Sequence, residues 1–290
     1  MIQHINEQAW RRIVWIFVPA ACILTFAAYV AYITLTMPDF KHNVTGNDIS
    51  FPQCGGAYPS GQAFGVVGVN GGVPTRTNPC LADQLGWAAQ SSGDGVGQRR
   101  VQLYVNTANP GDLDNPPGWP ENNLGLFNTE APNPHGECDG SNSLACSWQY
   151  GWNRAMEAVH ARFAPAARSA GLSDEPWRYK WWLDVETLNS WQQGSQAALR
   201  RNATALEGMV SYYRVIDVPL GIYSTAYQFG VIAGKPSRDS NLNGLDSWLA
   251  GGVDAANSQR MCAFPPLTPD GRVVMVQYIK DNFDFNYSCL

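Results

Sequence analysis

Eight short segments with the composition of β-strands recur after residue 46, and helical patterns separate most of the early ones. Apolar residues at helical spacing predict helices over 80–90, 152–163 and 199–213. The predicted strands cover residues 48–51, 63–70, 101–106, 180–186, 220–224, 247–250, 273–278 and 283–287. Such alternation is typical of α/β proteins with parallel strands, and eight strands favour a closed, TIM-like (β/α) barrel over an open sheet. No linker or internal repeat interrupts this region, so we interpret residues 47–290 as one domain.

An uncharged apolar run near the start of the chain predicts a transmembrane helix. Residues 13–36 carry no charged side chain, and as a helix they would extend about 36 Å, enough to cross a bilayer. Arg11 and Arg12 precede the run, which predicts a cytoplasmic tail over 1–12, a signal anchor over 13–36, a linker over 37–46 and an extracytoplasmic domain in a single-pass cell-membrane protein. The alternative is a cleaved signal peptide and a secreted product. The run is longer than the about 7 to 15 apolar residues of such peptides, which favours the anchor.

The charge content restricts the class of partner. Charged residues make up 15% of the chain, and 19 basic against 24 acidic residues give a formal net charge of −5. The sequence contains no run of Lys or Arg. Binding to nucleic acid depends on basic side chains that neutralise phosphates, so the composition excludes a nucleic-acid partner.

Seven cysteines divide into Cys22, inside the apolar run, and six in the exported domain. An oxidising compartment favours disulfides among the six. Pairing between sequence neighbours closes loops without threading the chain. It predicts the bridges Cys54–Cys80, Cys138–Cys146 and Cys262–Cys289. None of these cysteines has the C-x-x-C spacing of a metal site, and no dinucleotide fingerprint is present, so the sequence predicts no metal and no cofactor.

Two carboxylates at the end of the fourth predicted strand are the strongest chemical signal. Asp184 and Glu186 lie two residues apart in an otherwise apolar strand, so both point to one face with Cα atoms about 6.5 to 7 Å apart. Repulsion between them would raise the pKa of one carboxyl, which could then act as a general acid. The alternative is structural: salt bridges to arginines, or capping of the next helix through Thr187. Active sites of such barrels lie at the carboxyl ends of the strands, which favours catalysis. Asp48 and Asp284 are acids in similar positions.

A series of short motifs resembles a known enzyme family. The motifs are DISFPQ at 48–53, LDVE at 183–186, GIYS at 221–224, WLA at 248–250, QY at 277–278 and DFN at 284–286. In the same order, they resemble the D-[IV]-S-x-x-Q, L-D-x-E, G-I-Y-[ST], W-[IVL]-A, W-Q-Y and D-x-N motifs of family 25 glycoside hydrolases, the Chalaropsis-type lysozymes. The phrases VGVNGG, YVNTANPG and WWLDVET are similar to those of uncharacterised exported actinobacterial relatives of that group.

The resemblance implies a barrel with fewer outer helices than usual and β-1,4-N-acetylmuramidase activity on peptidoglycan or another cell-wall glycan. Glu186 matches the general acid, Asp184 the carboxylate that steadies the reacting centre, and Asp48 the first-strand aspartate of the cleft. Asp184 would stabilise the oxocarbenium-like centre directly, or would orient the acetamide of the substrate as the nucleophile. Asp284 matches the acid of the last strand, with an orienting role.

Four further residues are predicted to bind substrate. Asn106 and Gln277 lie in matching phrases at the ends of the third and seventh predicted strands. Tyr223 and Trp191 are the aromatic residues at a strand end and in a loop, where their rings could stack on sugars.

Three departures from the family pattern leave an alternative function open. Gly251 and Gly252 occupy the positions where the lysozymes usually carry Arg-Tyr, Asn70 is followed by two glycines, and a long loop over 107–147 could cover or reshape the groove. The alternative is a catalytically inactive barrel that binds the cell wall or associates with a membrane complex.

Overall fold

The described part of the chain forms one closed barrel. The computed structural model describes residues 45–93 and 97–290, and its eight strands follow one another around the barrel in chain order. The strands are β1 Thr45–Ile49, β2 Gly65–Gly68, β3 Val101–Asn106, β4 Lys180–Asp184, β5 Leu220–Ser224, β6 Asp246–Gly252, β7 Val273–Lys280 and β8 Phe283–Ser288. All eight predicted strands are therefore confirmed, with bounds that shift by a few residues.

The predicted membrane segment lies outside the residues that the structure describes. The tail over 1–12, the span over 13–36, Cys22 and the linker as far as residue 44 fall outside the described residues. Within 45–93 and 97–290, the structure contains no helix that is both long enough and apolar enough to cross a bilayer.

The last strand corrects the prediction of an all-parallel barrel. β1 to β7 pair in parallel, but β8 runs antiparallel to both β7 and β1. Only Asp281 and Asn282 connect β7 to β8, and their φ angles are 52° and 62°. Two central residues with positive φ make the tight turn of a β-hairpin, which returns the chain beside the strand it has just left.

Helices occupy the other long connections. They are α1 Leu81–Ala89, α2 Leu144–Glu157, α3 Ala164–Ser169, α4 Gln196–Val215, α5 Ala226–Ala233 and α6 Ala255–Met261. A π-helical segment, Ala158–Phe163, joins α2 to α3. The connection from β1 to β2 contains a 3₁₀ turn at Phe51–Gln53 and no α-helix. The helices predicted over 80–90, 152–163 and 199–213 correspond to α1, the α2 region and α4.

Capping residues explain the early start of α2 and two further helices, α5 and α6, that the apolar pattern did not predict. α2 begins inside the predicted 107–147 loop, because the Ser143 side chain accepts a hydrogen bond from the backbone N–H of Cys146. α5 and α6 begin in the same way, at Thr225 and Asp254. A side-chain acceptor at this position satisfies an N–H group that has no partner within the helix.

The core has two layers because side chains alternate along each strand. Outward-facing residues such as Val67, Leu103 and Leu183 pack against the helices in one large apolar cluster. Inside the barrel, a smaller cluster includes Trp182 and Trp248. A Cβ atom on Gly221 would lie 2.3 Å from the Trp182 ring, so the missing side chain makes room for this indole. Trp182 therefore fills the barrel below its mouth.

Two glycines let α2 and α4 pack closely. A Cβ atom on Gly151 of α2 would lie 1.8 Å from the carbonyl oxygen of Ala205, and one on Gly208 of α4 would lie 2.0 Å from the carbonyl oxygen of Trp148. Backbone therefore meets backbone where these helices cross, and no larger residue fits at either position.

The three predicted disulfides are confirmed. Their Cα–Cα distances are 5.7 Å for Cys54–Cys80, 4.6 Å for Cys138–Cys146 and 5.5 Å for Cys262–Cys289. The first attaches the β1–β2 connection to the start of α1, and the second attaches the long loop to α2. The third joins the end of α6 to the residue that follows β8.

Candidate active site

A cavity of about 280 Å³ opens at the carboxyl ends of the parallel strands. Its lining combines four carboxylic acids with aromatic and amide side chains. The lining residues are Asp48, Tyr104, Asp184, Glu186, Tyr223, Trp248, Gln277, Ile279 and Asp284. None of these described lining residues is Lys or Arg, so no cation in the lining offsets the four acids.

The strand register brings the acids together. Asp184 ends β4 beside Asn106 of β3 and Tyr223 of β5. Glu186 follows two residues later, on the same face. On the other side of the barrel, Asp48 of β1 pairs directly with Asp284 of β8, which places their Cα atoms about 4.5 to 5.5 Å apart.

Asp48 is buried and accepts hydrogen bonds from two amides. Gln277 Nε2 lies 3.0 Å from Oδ1 and 3.2 Å from Oδ2, and Asn286 Nδ2 lies 2.7 Å from Oδ1. Burial, with the negative charges of Asp284 and Glu186, raises the pKa of Asp48 from 3.8 to about 7, although the two amides oppose this shift. The Asp48 carboxyl therefore changes between its protonated and ionised forms near neutral pH.

The two carboxyl oxygens of Asp184 differ in their hydrogen bonding. Asn106 Nδ2 donates to Oδ2 over 2.6 Å. Oδ1 is buried and has no hydrogen-bond partner in the described part of the chain. Burial and the charge of Glu186 raise the pKa of Asp184 well above its ordinary value. A neutral carboxylic acid can donate through one oxygen and accept through the other, so Asp184 can offer an O–H group to a bound molecule.

Glu186 and Asp284 are more accessible acids of the cavity. Burial raises the pKa of Glu186, with a smaller contribution from the charge of Asp284, and a hydrogen bond from Gln228 opposes this shift. Burial also raises the pKa of Asp284. A carboxylic acid with a raised pKa keeps its proton to a higher pH than an ordinary one, which suits it to general acid catalysis.

Gln277 connects the two sides of the cavity. Its Oε1 accepts a hydrogen bond of 2.7 Å from the Tyr223 hydroxyl, while its Nε2 donates to Asp48. The Tyr223 ring lies 4.4 Å from the Trp248 ring, centroid to centroid. The acids therefore lie around an aromatic floor in which Gln277 holds the Tyr223 hydroxyl.

Most of the predicted site residues meet in this cavity. Asp48, Asp184, Glu186, Asp284, Tyr223 and Gln277 line it. Asn106 lies one hydrogen bond behind it, on Asp184. Trp191 does not line it: the side chain is buried, and its indole N–H donates to the backbone carbonyl of Glu186 over 2.9 Å. The 107–147 loop contributes no lining residue either. The catalytic and binding roles of all these residues stay predictions.

Among the aromatic and amide residues that line the cavity or donate to Asp48, three were missed as site residues by the sequence analysis. Tyr104 and Trp248 line the cavity, and Asn286 donates to Asp48. A signal existed for two of them. Tyr104 precedes Asn106 by two residues and Asn286 follows Asp284 by two, so each shares a strand face with a predicted site residue. Trp248 carries no such signal, because a tryptophan in a strand is more often a core residue. The structure does bury its side chain almost fully, although the residue lines the cavity.

In the part of the chain that the structure describes, no group of three or more His, Cys, Asp or Glu side chains is arranged to hold a metal ion. The cavity presents carboxyl, amide and hydroxyl groups to a bound molecule.

The backbone of the chain is similar to that of several solved structures. A muramidase from Trichobolus zukalii matches with 17% identity over 84% of this chain and 92% of that chain, at a TM-score of 0.48. A family GH25 lysozyme from Aspergillus fumigatus matches with 13% identity over 84% and 93%, at a TM-score of 0.45. A bacterial lysozyme from Streptomyces coelicolor matches with 14% identity over 86% and 93%, at a TM-score of 0.45. No protein-family model and no curated protein sequence matches the chain.

Proposed function

We propose that the barrel domain is a glycoside hydrolase of the muramidase type, which cleaves the glycan of peptidoglycan. One observation carries this proposal. Glu186, an acid with a raised pKa, shares a cavity with Asp48, Asp184 and Asp284 and with no cationic lining residue. Hydrolysis of a glycosidic bond requires a proton donor and negative charge near the anomeric carbon, and this cavity offers both.

In the proposed reaction, Glu186 gives its proton to the glycosidic oxygen as the bond to the anomeric carbon breaks. The leaving sugar takes this proton as part of its new hydroxyl group, and Glu186 becomes a carboxylate. Positive charge then develops on the sugar that stays bound. Because opposite charge favours the ionised form of a carboxyl, this developing charge lowers the pKa values of Asp48 and Asp184. A carboxyl that was protonated then releases its proton to solvent, and the resulting carboxylate stabilises the charge.

Two routes complete the reaction. Asp184 stabilises the charged centre directly, or it holds the acetamide of the substrate for attack on that centre. The second route suits the buried Asp184 oxygen that has no partner in the described chain, because an amide N–H can donate to this oxygen once Asp184 has lost its proton. Water then attacks the anomeric carbon, and the carboxylate of Glu186 recovers a proton from this water.

The proposed catalytic domain is attached to the outer face of the cell membrane. The support is the uncharged run over 13–36, with Arg11 and Arg12 before it. Such an anchor would confine the enzyme to the wall layer next to the membrane. Immunoblotting of cell fractions with an antibody to the barrel domain tests this placement. The full-length band of 31.8 kDa is expected in the membrane fraction, whereas a shorter band in the medium would contradict the anchor.

The activity is tested by the release of reducing ends from purified peptidoglycan, using the full-length chain in detergent. Glu186→Gln removes the proton donor with little change in shape, and we expect at least a hundredfold lower rate. Glu137→Gln is the matched control, because Glu137 is exposed and lies outside the cavity. It should keep the wild-type rate.

A wild-type chain that binds peptidoglycan but releases no more reducing ends than Glu186→Gln would overturn the proposed activity. That outcome would support a wall-binding barrel without catalysis.

A further inference from the structure

We propose that a second cavity beside Glu186 holds the part of the glycan chain that extends beyond the catalytic cavity. This proposal rests on the proposed function, since it assigns a longer oligosaccharide to the same site. The second cavity has a volume of about 470 Å³. Its lining includes Thr187, Trp191, Gln193, Tyr227 and Val231.

The composition of the second cavity suits an uncharged sugar. None of its described lining residues is charged. Tyr227 and Val231 lie one helical turn apart on α5 and are 76% and 43% exposed, while Trp191 is buried at 7% exposure. Thr187 and Gln193 add a hydroxyl and an amide. Sugars present apolar C–H faces together with hydroxyl groups, and exposed aromatic rings beside neutral polar groups match both features.

Another cavity of similar size has a different chemistry. It has a volume of about 430 Å³, and its lining includes His135, Arg200, Glu207 and Lys235. Charged groups of both signs suit a charged ligand rather than a neutral polymer. Of these two cavities, the one beside Glu186 therefore combines neutral polar groups with an exposed aromatic ring.

The two cavities border the same short segment. Glu186 lines the first and Thr187 lines the second. Gln228 holds the segment between the two cavities in place. Its Oε1 accepts hydrogen bonds from the backbone N–H and the hydroxyl of Thr187, over 2.7 and 3.0 Å. The indole of Trp191 donates to the carbonyl of Glu186. A polymer bound at Glu186 therefore needs to cross only this segment to reach the Tyr227 ring.

The predicted sugar-binding role of Trp191 changes under this proposal. Its ring is nine-tenths buried, so it supports the floor of the second cavity. Tyr227, which the sequence analysis did not select, provides the accessible ring. Leu188, at 94% exposure, follows Thr187 and extends the apolar surface at this edge.

The test measures how binding affinity depends on chain length. Full-length Glu186→Gln, which binds without cleaving, is titrated calorimetrically with β-1,4-linked N-acetylglucosamine dimers and hexamers. Adding Tyr227→Ala should weaken hexamer binding about five- to tenfold and should leave dimer binding unchanged, because the dimer is held at the first cavity. Tyr227→Phe keeps the ring and should restore hexamer binding.

Trp177→Ala is the matched control. Trp177 is an exposed aromatic residue that lines a cavity with Arg99 and Pro219, just before β4 begins, at the opposite end of the strand from Glu186. This variant should bind both oligosaccharides as the parent does.

Three results would overturn the second binding site: equal hexamer binding with and without Tyr227→Ala, an equal loss for dimer and hexamer, or no saccharide binding by the parent. The proposed activity fails separately. If Glu186→Gln binds hexamers through Tyr227 but the wild-type chain releases no reducing ends from peptidoglycan, the muramidase proposal is wrong and the second site stands.

Discussion

The buried Asp48 carboxyl makes a prediction about stability and pH. Folding raises its pKa from 3.8 to about 7, so the native state keeps a proton that the unfolded chain has already released. The native state is then favoured at low pH, and the free energy of unfolding falls as pH rises from about 4 to about 7. The full shift corresponds to a loss on the order of 4 kcal/mol, at about 1.4 kcal/mol for each pKa unit.

Asp48→Asn removes this titration and keeps an oxygen that can accept from Gln277 and Asn286. Urea unfolding without reductant, followed by tryptophan fluorescence at pH 5 and pH 8, measures the effect. Between these pH values the wild type should lose about 3 kcal/mol more than the variant. Asp114→Asn, at an exposed site outside the cavity, should behave as the wild type. If Asp48→Asn and the wild type lose equal stability between the two pH values, the reasoning about this buried carboxyl is wrong.

Further predictions concern helix packing, a partly buried ion pair and the acid catalyst. Gly208→Ala should lower the free energy of unfolding by about 3 kcal/mol, because its methyl group would meet the backbone of α2. Gly230→Ala, whose Cβ has open space, should raise it by roughly 0.5 kcal/mol. Urea unfolding measures both, and equal effects would contradict the packing argument. Asp246→Ala leaves the Lys180 ammonium without its carboxylate partner at 2.7 Å, and thermal unfolding should reveal a loss of about 3 kcal/mol; an unchanged melting temperature would contradict it. Hydrolysis should slow as pH rises through the raised pKa of Glu186, since only the protonated form is an acid catalyst. A rate that is constant from about pH 4 to pH 9 would exclude this role.

The strands were easier to predict from the sequence than the helices or the direction of the last strand. The strands are short apolar runs between glycines and prolines, and burial on both faces makes these runs continuous. The direction of β8 depends on the turn at Asp281 and Asn282, whose positive φ angles no apolar pattern records. Helices α5 and α6 depend on the caps at Thr225 and Asp254 more than on apolar spacing.

The acids of the site were predictable because carboxylates in apolar strands are rare. Asp184 and Glu186 share a strand face by spacing alone, and barrel closure then brings Asp48 beside Asp284. Aromatic residues carry no such signal, since a buried ring fills a core and a cavity floor equally well. Trp248 and Trp191 are both buried, and only the register of their elements decides which cavity each one borders.

The hairpin that ends the barrel also determines when the site can exist during synthesis. Asp48 lies in the first strand, and Asn286, which donates to it, follows 238 residues later in the last. A chain that ends before β8 lacks Asp284 and Asn286 and leaves the edges of β1 and β7 unpaired. The candidate site is therefore assembled only when β8 is in place. A chain still being synthesised would carry no assembled site until β8 has joined β1 and β7, so an assembled site would report that the barrel has closed.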